Sequence, residues 1–371
     1  MQIGEHEPDP VDRAFNAAKL HNEIHARCIR LESPPATINI ELTGRCNFKP
    51  PCTFCVGKNQ NGYEEPGDIS DDQLNRYWPY LVRSQRVNDC SYGEPLLYPR
   101  IEEVIMRIKA NGVTFGFSTN GLLLNERRSR FLVENADTIQ FSVSVNAATS
   151  ETYGRLHGQD YKALIHNIEQ FIQLHKEIRF EQPLSSIVFS YIIMRSNQDE
   201  VLDFLRLAAK LGVKYIVFRH LFDLHAPGYI CENFGQRFIY EKEMLPYADY
   251  KHIENQIGKR TEFKDLNIAY AWNAKDAFMA QQAETDIKIP CLFPWKFLSI
   301  MPFHDIYTPC AFLKKSIALP SQTTLEEVWN GEVIVGMRSS LLAGEIPNFC
   351  HAFGDCCPLI LEHRFSQSDL I

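Results

Sequence analysis

Eleven cysteines stand among the 371 residues, and eight of them fall into two groups. Cys46, Cys52 and Cys55 share one ten-residue stretch, Cys46-Asn-Phe-Lys-Pro-Pro-Cys52-Thr-Phe-Cys55. Cys291, Cys310, Cys350, Cys356 and Cys357 lie in the last 81 residues, while Cys28, Cys90 and Cys231 are scattered. Clustered thiols in a chain of this size point to metal rather than to disulfides. Three close thiolates can ligate three irons of a cubane and leave the fourth iron open to another ligand. The Cys52-x2-Cys55 spacing suits a structural zinc equally well, so both chemistries stay open on these residues alone. The second group fits a further cluster, a zinc ribbon or buried thiols. Cys90 and Cys231 are candidate hydrogen-atom donors, with ordinary thiols as the alternative.

Composition narrows the partners. The formal net charge of −8, with 45% hydrophobic and 23% charged residues, is that of a globular domain and argues against a general nucleic-acid binder. The polar start MQIGEHEPDP carries no apolar run behind a basic segment, and no stretch of 18 apolar residues occurs. The expectation is a cytoplasmic protein with neither a nucleic-acid nor a membrane partner.

The elements that must position the thiols alternate along the chain. An amphipathic helix precedes a β-branched strand over 37–43, which runs directly into the first cysteine group. Helices are expected over 70–82, 100–110, 126–135, 161–176 and 198–211. Strands are expected over 87–91, 113–118, 138–145, 186–194 and 214–221. Strand–helix repeats of this kind imply parallel strands with right-handed crossovers, whose active sites lie at the C-terminal strand ends. The expected organisation is a helical lead-in over 1–35, the strand–helix region over 36–221, an irregular or helical insertion over 222–290 and a small cysteine-bearing domain over 291–371.

At those strand ends the chain resembles the radical S-adenosylmethionine (radical SAM) superfamily. The three-cysteine loop follows the first strand and has Phe54 before its last cysteine, with a first gap of five residues where the family usually has three. Gly93-Glu94-Pro95 resembles the family's Gly-Glu-Pro motif, whose carboxylate meets the methionine ammonium. Ser118-Thr-Asn120-Gly121 resembles its Thr-Asn-Gly turn, and Ser144, Asn146 and Arg155 match the positions that contact ribose and methionine carboxylate. Asn146 stands where an Asp is usual and can still hydrogen-bond a hydroxyl. The C-terminal cysteines, with Cys291-Leu-Phe-Pro-Trp295 and Leu325-Glu-Glu-Val-Trp329, resemble the auxiliary-cluster extension called SPASM or its shorter form, twitch.

The resemblance implies a partial (βα)6 barrel with a small C-terminal iron–sulfur domain. Its cofactors would be S-adenosylmethionine, a [4Fe–4S] cluster on Cys46, Cys52 and Cys55, and a second cluster from Cys291, Cys310, Cys350 and either Cys356 or Cys357. An external flavodoxin- or ferredoxin-like donor would supply one electron, and a 5′-deoxyadenosyl radical would remove a hydrogen atom from a substrate. The expected reaction is oxidation or epimerisation of a small polar metabolite such as a sugar or aminocyclitol, by an oxidoreductase or epimerase. Modification of a ribosomal peptide is the alternative within the family, and a zinc-stabilised binding protein the alternative outside it.

Overall fold

The computed structural model describes residues 10–55, 67–221, 230–272, 289–303, 306–310, 324–351 and 357. The chain forms two compact units, one of Met1–Gly44, Pro66–Gly116 and Asn273–Ile371, the other of Arg45–Glu65 and Phe117–Trp272. In chain order the strands are β1 (Thr37–Ile40), β2 (Arg86–Asp89), β3 (Thr114–Thr119), β4 (Ile139–Ser144), β5 (Ile187–Ile193), β6 (Tyr215–His220), β7 (Ile230–Asn233), β8 (Gln236–Ile239), β9 (Asn267–Tyr270), β10 (Phe297–Met301) and β11 (Ile306–Thr308).

In the first unit β1 pairs in parallel with both β2 and β10, β2 pairs in parallel with β3, and β11 closes antiparallel on β10. The helix after β1, α2 (Asp71–Leu81), starts on a capping box in which Ser70 and Gln73 satisfy each other's backbone N–H. Its buried Leu74, Tyr77, Trp78 and Leu81 follow the spacing of one helix face. A second framework lies beneath the N-terminal segment. The buried guanidinium of Arg338 donates to the carbonyls of Pro294 and Ile29, both at 2.8 Å, and stacks on Trp329. Trp329 donates in turn to the Ser33 carbonyl and Trp295 to the Cys28 carbonyl.

In the second unit β4, β5, β6 and β9 pair in parallel, in that order. Burial alternates along β4: Ile139, Phe141 and Val143 are packed, while Ser142 and Ser144 open to the other face. Phe141 stacks on Phe117 and meets Phe171 of α6 (Tyr161–Ile178) edge-on. Phe204 of α7 (Val201–Leu211) packs on Phe189 and Phe218, and that helix ends at left-handed Gly212. The apolar sides of the strands therefore face helices, which leaves their polar sides for chemistry.

Residues 222–290 contain, where described, the hairpin β7–β8, a helix over Tyr247–Gly258 and strand β9. Within 291–371, strand β10 lies in register beside β1, with Asn39 opposite Ser299. Periodicity does not name the partner of a strand this short. Among the described residues no helix is long and apolar enough to cross a membrane.

Candidate functional site

The first cysteine loop belongs to the second unit and is tied down at both ends. Asn120, in the turn after β3, accepts from Leu122 N and donates through Nδ2 to Asn47 Oδ1 at 2.7 Å. Thr53 donates its N–H and its hydroxyl to the Leu156 carbonyl, and Asn233 of β7 donates to the Pro51 carbonyl at 2.8 Å. Leu156 lies on α5 (Ser150–His157), whose first turn hangs on Glu200: that carboxylate accepts from Ala148 N, Thr149 Oγ1 and Thr152 Oγ1. The five-residue gap between the first two cysteines carries a cis Lys49–Pro50 peptide.

Main-chain and side-chain groups face two of the sulfurs. Phe48 N–H points at Cys46 Sγ at 3.5 Å, and His157 Nδ1 lies 3.1 Å from Cys52 Sγ. Burial, then the neighbouring thiols of Cys55 and Cys46, push the Cys52 thiol well above its ordinary pKa. The charged forms of these thiols repel one another in a dry setting, which is what a bound iron centre offsets. Among the described residues no three His, Cys, Asp or Glu side chains converge tightly enough to share a single ion. In donor chemistry, three thiolates from one loop are what a cubane takes, one per iron. Phe54, expected at the cofactor, is buried with Leu156, Met194, Leu221, Phe238 and Tyr240.

The same unit holds most of the other expected residues. Ser118 Oγ and Ser142 Oγ are 2.7 Å apart on the open face, and Ser144 follows on it. Asn146 is buried at positive φ, and its Oδ1 accepts from Ile192 N at 2.7 Å. Arg155 donates through Nη2 to the Ser196 carbonyl at 2.7 Å. Cys231 packs in the apolar cluster of Phe54 and Leu156, and burial raises its thiol to about 11. His220 is buried against the Tyr250 ring.

The first unit carries the remainder. Glu94 is buried, and its carboxylate caps its own turn by accepting from Leu96 N; Gly93 precedes it half-buried. Cys90 Sγ lies 3.9 Å from Ser299 Oγ, and burial, then Asp89 and Glu41, push its thiol well up. Asp89 is itself raised to about 7, chiefly by burial. Of the C-terminal cysteines, Cys291 has its thiol pushed well up, chiefly by burial and to a lesser extent by Cys357 and Cys350. Burial raises Cys350 to about 12, Cys310 is buried, and Cys356 lies outside the described residues.

Two residues with site character escape the sequence reading. His157 sits in Arg155-Leu156-His157-Gly158, one step before the left-handed Gly158 that ends α5; the only signal was its place beside a matched arginine. Arg219 is an exposed charge on the apolar strand Tyr215-Ile-Val-Phe-Arg219, on the face opposite Phe218. Its Nε reaches Ser190 Oγ at 3.3 Å, and among the described residues no carboxylate pairs with it. The guanidinium opens to the polar face, yet crowding by protein lowers its pKa.

Comparison with known proteins agrees with this geometry. The radical SAM superfamily model matches residues 40–223. GTP 3′,8-cyclase of Aquifex aeolicus is 30% identical over 190 residues, which are 50% of this chain and 56% of that protein. A probable GTP 3′,8-cyclase of Saccharolobus islandicus is 28% identical over 235 residues, covering 62% of this chain and 70% of that protein. The chain thus spans little more than half the length of the Aquifex relative. In fold it is similar to Streptococcus suis SuiB bound to S-adenosylmethionine, with a TM-score of 0.64 at 17% identity over 91% of this chain and 75% of SuiB. It is also similar to anSMEcpe with bound AdoMet, with a TM-score of 0.52 at 15% identity over 90% of this chain and 98% of that one.

These relatives correct the expected reaction. They are named for cyclisation of a nucleotide, which overturns the reading of a sugar or aminocyclitol substrate undergoing oxidation or epimerisation. That reading leaned on the C-terminal cysteines, whose spacing does not identify a substrate. With the three-thiol loop, the matched strand ends, the mostly parallel α/β fold and the family match over 40–223 in agreement, the chain belongs to the radical SAM superfamily.

Proposed function

We propose that Cys46, Cys52 and Cys55 hold the family's [4Fe–4S] cluster and that the enzyme acts on a phosphate-bearing substrate, a nucleotide being the class its relatives suggest. When bound, the cluster and S-adenosylmethionine supply one-electron cleavage of the sulfonium and the power to abstract a hydrogen atom. The chain's own residues orient and enclose. Asn120 holds the cysteine loop, and Ser118, Ser144, Asn146 and Arg155 are the cofactor contacts in the second unit. Phe54 shields the loop from water.

The observation that carries the substrate class is Arg219. An exposed cation without a carboxylate partner among the described residues, beside the Ser190 hydroxyl on a face that also bears Ser142, is a receptor for an anion. The 27–30% identity to proteins named GTP 3′,8-cyclase supports phosphate as that anion. Cys291, Cys310, Cys350 and Cys357 are the proposed holders of a second cluster, supported by the electrostatic influence of Cys357 and Cys350 on the buried Cys291 thiol. The electron comes from an external one-electron donor.

The test is anaerobic incubation of reconstituted enzyme with dithionite and S-adenosylmethionine. Production of 5′-deoxyadenosine supports the reading, and its absence in a chain loaded with iron sinks it. In the same preparation GTP and inorganic tripolyphosphate should each bind wild type, and Arg219→Gln should weaken both about tenfold, the loss of one charge-assisted contact. Tight binding of neither by the wild type removes the phosphate reading.

A further inference from the structure

We infer that His157 is a positioning residue for the cluster, donating a hydrogen bond from Nδ1–H to the sulfur of Cys52. The inference rests on the proposal that Cys52 is a cluster ligand and adds a residue that no sequence motif assigned.

Three observations converge on the donor. His157 Nδ1 lies 3.1 Å from Cys52 Sγ. A ligating Cys52 is a thiolate, which only accepts, so the proton of this contact must sit on the ring nitrogen. On the far side, Asn146 Nδ2 lies 3.4 Å from His157 Nε2. The orientation of that amide is not free, because its Oδ1 already accepts from Ile192 N at 2.7 Å. Asn146 therefore turns its N–H toward Nε2, which must accept, and the proton of a neutral ring goes to Nδ1. The other tautomer would aim the Nδ1 lone pair at an anionic sulfur and be repelled.

The ring is also held in place. Tyr153 stacks on it at 4.5 Å between centroids, and Phe54 and Phe48 meet it edge-on at 5.2 and 6.1 Å. Phe54 and Phe48 come from the cysteine loop itself, so the loop that supplies the sulfur also fixes the donor aimed at it. Its position on the last turn of α5, ahead of left-handed Gly158, sets the height of the ring.

Hydrogen bonds to cluster sulfurs stabilise the electron-rich reduced state and raise the reduction potential. The test is an EPR-monitored redox titration of the reconstituted full chain, following the signal that changes when S-adenosylmethionine is added. His157→Phe keeps an aromatic ring and removes the donor; His157→Asn keeps a donor near the position of Nδ1. We expect the Phe variant to lower the ratio of reduced to oxidised cluster about tenfold at a fixed potential, a 59 mV negative shift for one electron. The Asn variant should recover most of that loss. Pulsed ENDOR in H2O against D2O should show an exchangeable proton coupled to the wild-type cluster and absent from the Phe variant.

Equal potentials for wild type and the Phe variant at full iron content overturn the inference, as does an Asn variant shifted as far as Phe. If Cys52→Ala retains the wild-type iron content and the SAM-sensitive signal, the ligand assignment itself fails, and the inference falls with it for that separate reason. A Phe variant that loses iron leaves the Asn variant and the wild-type proton coupling to decide.

Discussion

The two cysteine groups are built in opposite ways. Cys46, Cys52 and Cys55 come from one ten-residue loop whose backbone is tied to Asn120, Leu156 and Asn233 and whose sulfurs face Phe48 N–H and His157. Cys291, Cys350 and Cys357 come from segments separated by up to 66 residues, and burial dominates their environment. In the first group a short stretch of chain sets the spacing, and the surrounding fold aims donors at the sulfurs. In the second, only the packing of distant segments brings the thiols together. A local loop pays little closure entropy, whereas each distant pair adds to that cost. The local group is therefore expected to keep its geometry without metal better than the distant one.

Replacing one thiol in each group gives the largest contrast. Cys52→Ala should abolish 5′-deoxyadenosine formation and remove about four irons per chain, the content of one cubane. Cys291→Ala should remove a similar amount of iron while leaving reductive cleavage of S-adenosylmethionine measurable. Iron content unchanged by Cys291→Ala would end the case for a second cluster.

The next effect concerns what holds the distant group. Arg338 bridges the carbonyls of Pro294 and Ile29 from a fully buried position in the unit that carries Cys291 and Cys350. Arg338→Met leaves those carbonyls unsatisfied and should cost about 2–4 kcal/mol in denaturant unfolding. Metal retention at the C-terminal group should fall while that at Cys46–Cys55 holds. Equal losses at both groups would erase the distinction drawn between them.

A smaller effect follows pH. Asp89, next to Cys90 in the first unit, is raised from 3.8 to about 7. Between those values the folded chain holds a proton that the unfolded chain has released, so stability falls as pH rises through this window. The slope is at most about 1.4 kcal/mol per pH unit. Asp89→Asn should flatten the fall and make the protein more stable than wild type above pH 7, as thermal melts across pH would record. A slope that survives the substitution would assign the effect to another group.

The smallest change tests the local loop. Asn120→Ala removes one tether, the bond to Asn47, and should cost about 1 kcal/mol while slowing cluster loading. Unaltered loading would mean that the remaining ties at Leu156 and Asn233 suffice.

Much of this protein was legible before any coordinates. The alternation of strands and helices through residue 221, the cap at Ser70, the stop at Gly212 and the cysteine loop after β1 all follow from short-range periodicity and turn chemistry. Motif order sufficed for the superfamily. Tertiary structure alone decided the rest. That β10 joins β1 and β9 joins β6 is a pairing of short strands far apart in sequence, which no local pattern encodes. His157 and Arg219 carried no motif of their own. One became a sulfur's neighbour because α5 returns to the loop; the other stands beside Ser190 because β6 turns Phe218 toward the helix layer and Arg219 to the opposite face. Spacing names the atoms that can do chemistry, and only the meeting of distant segments decides which groups surround them.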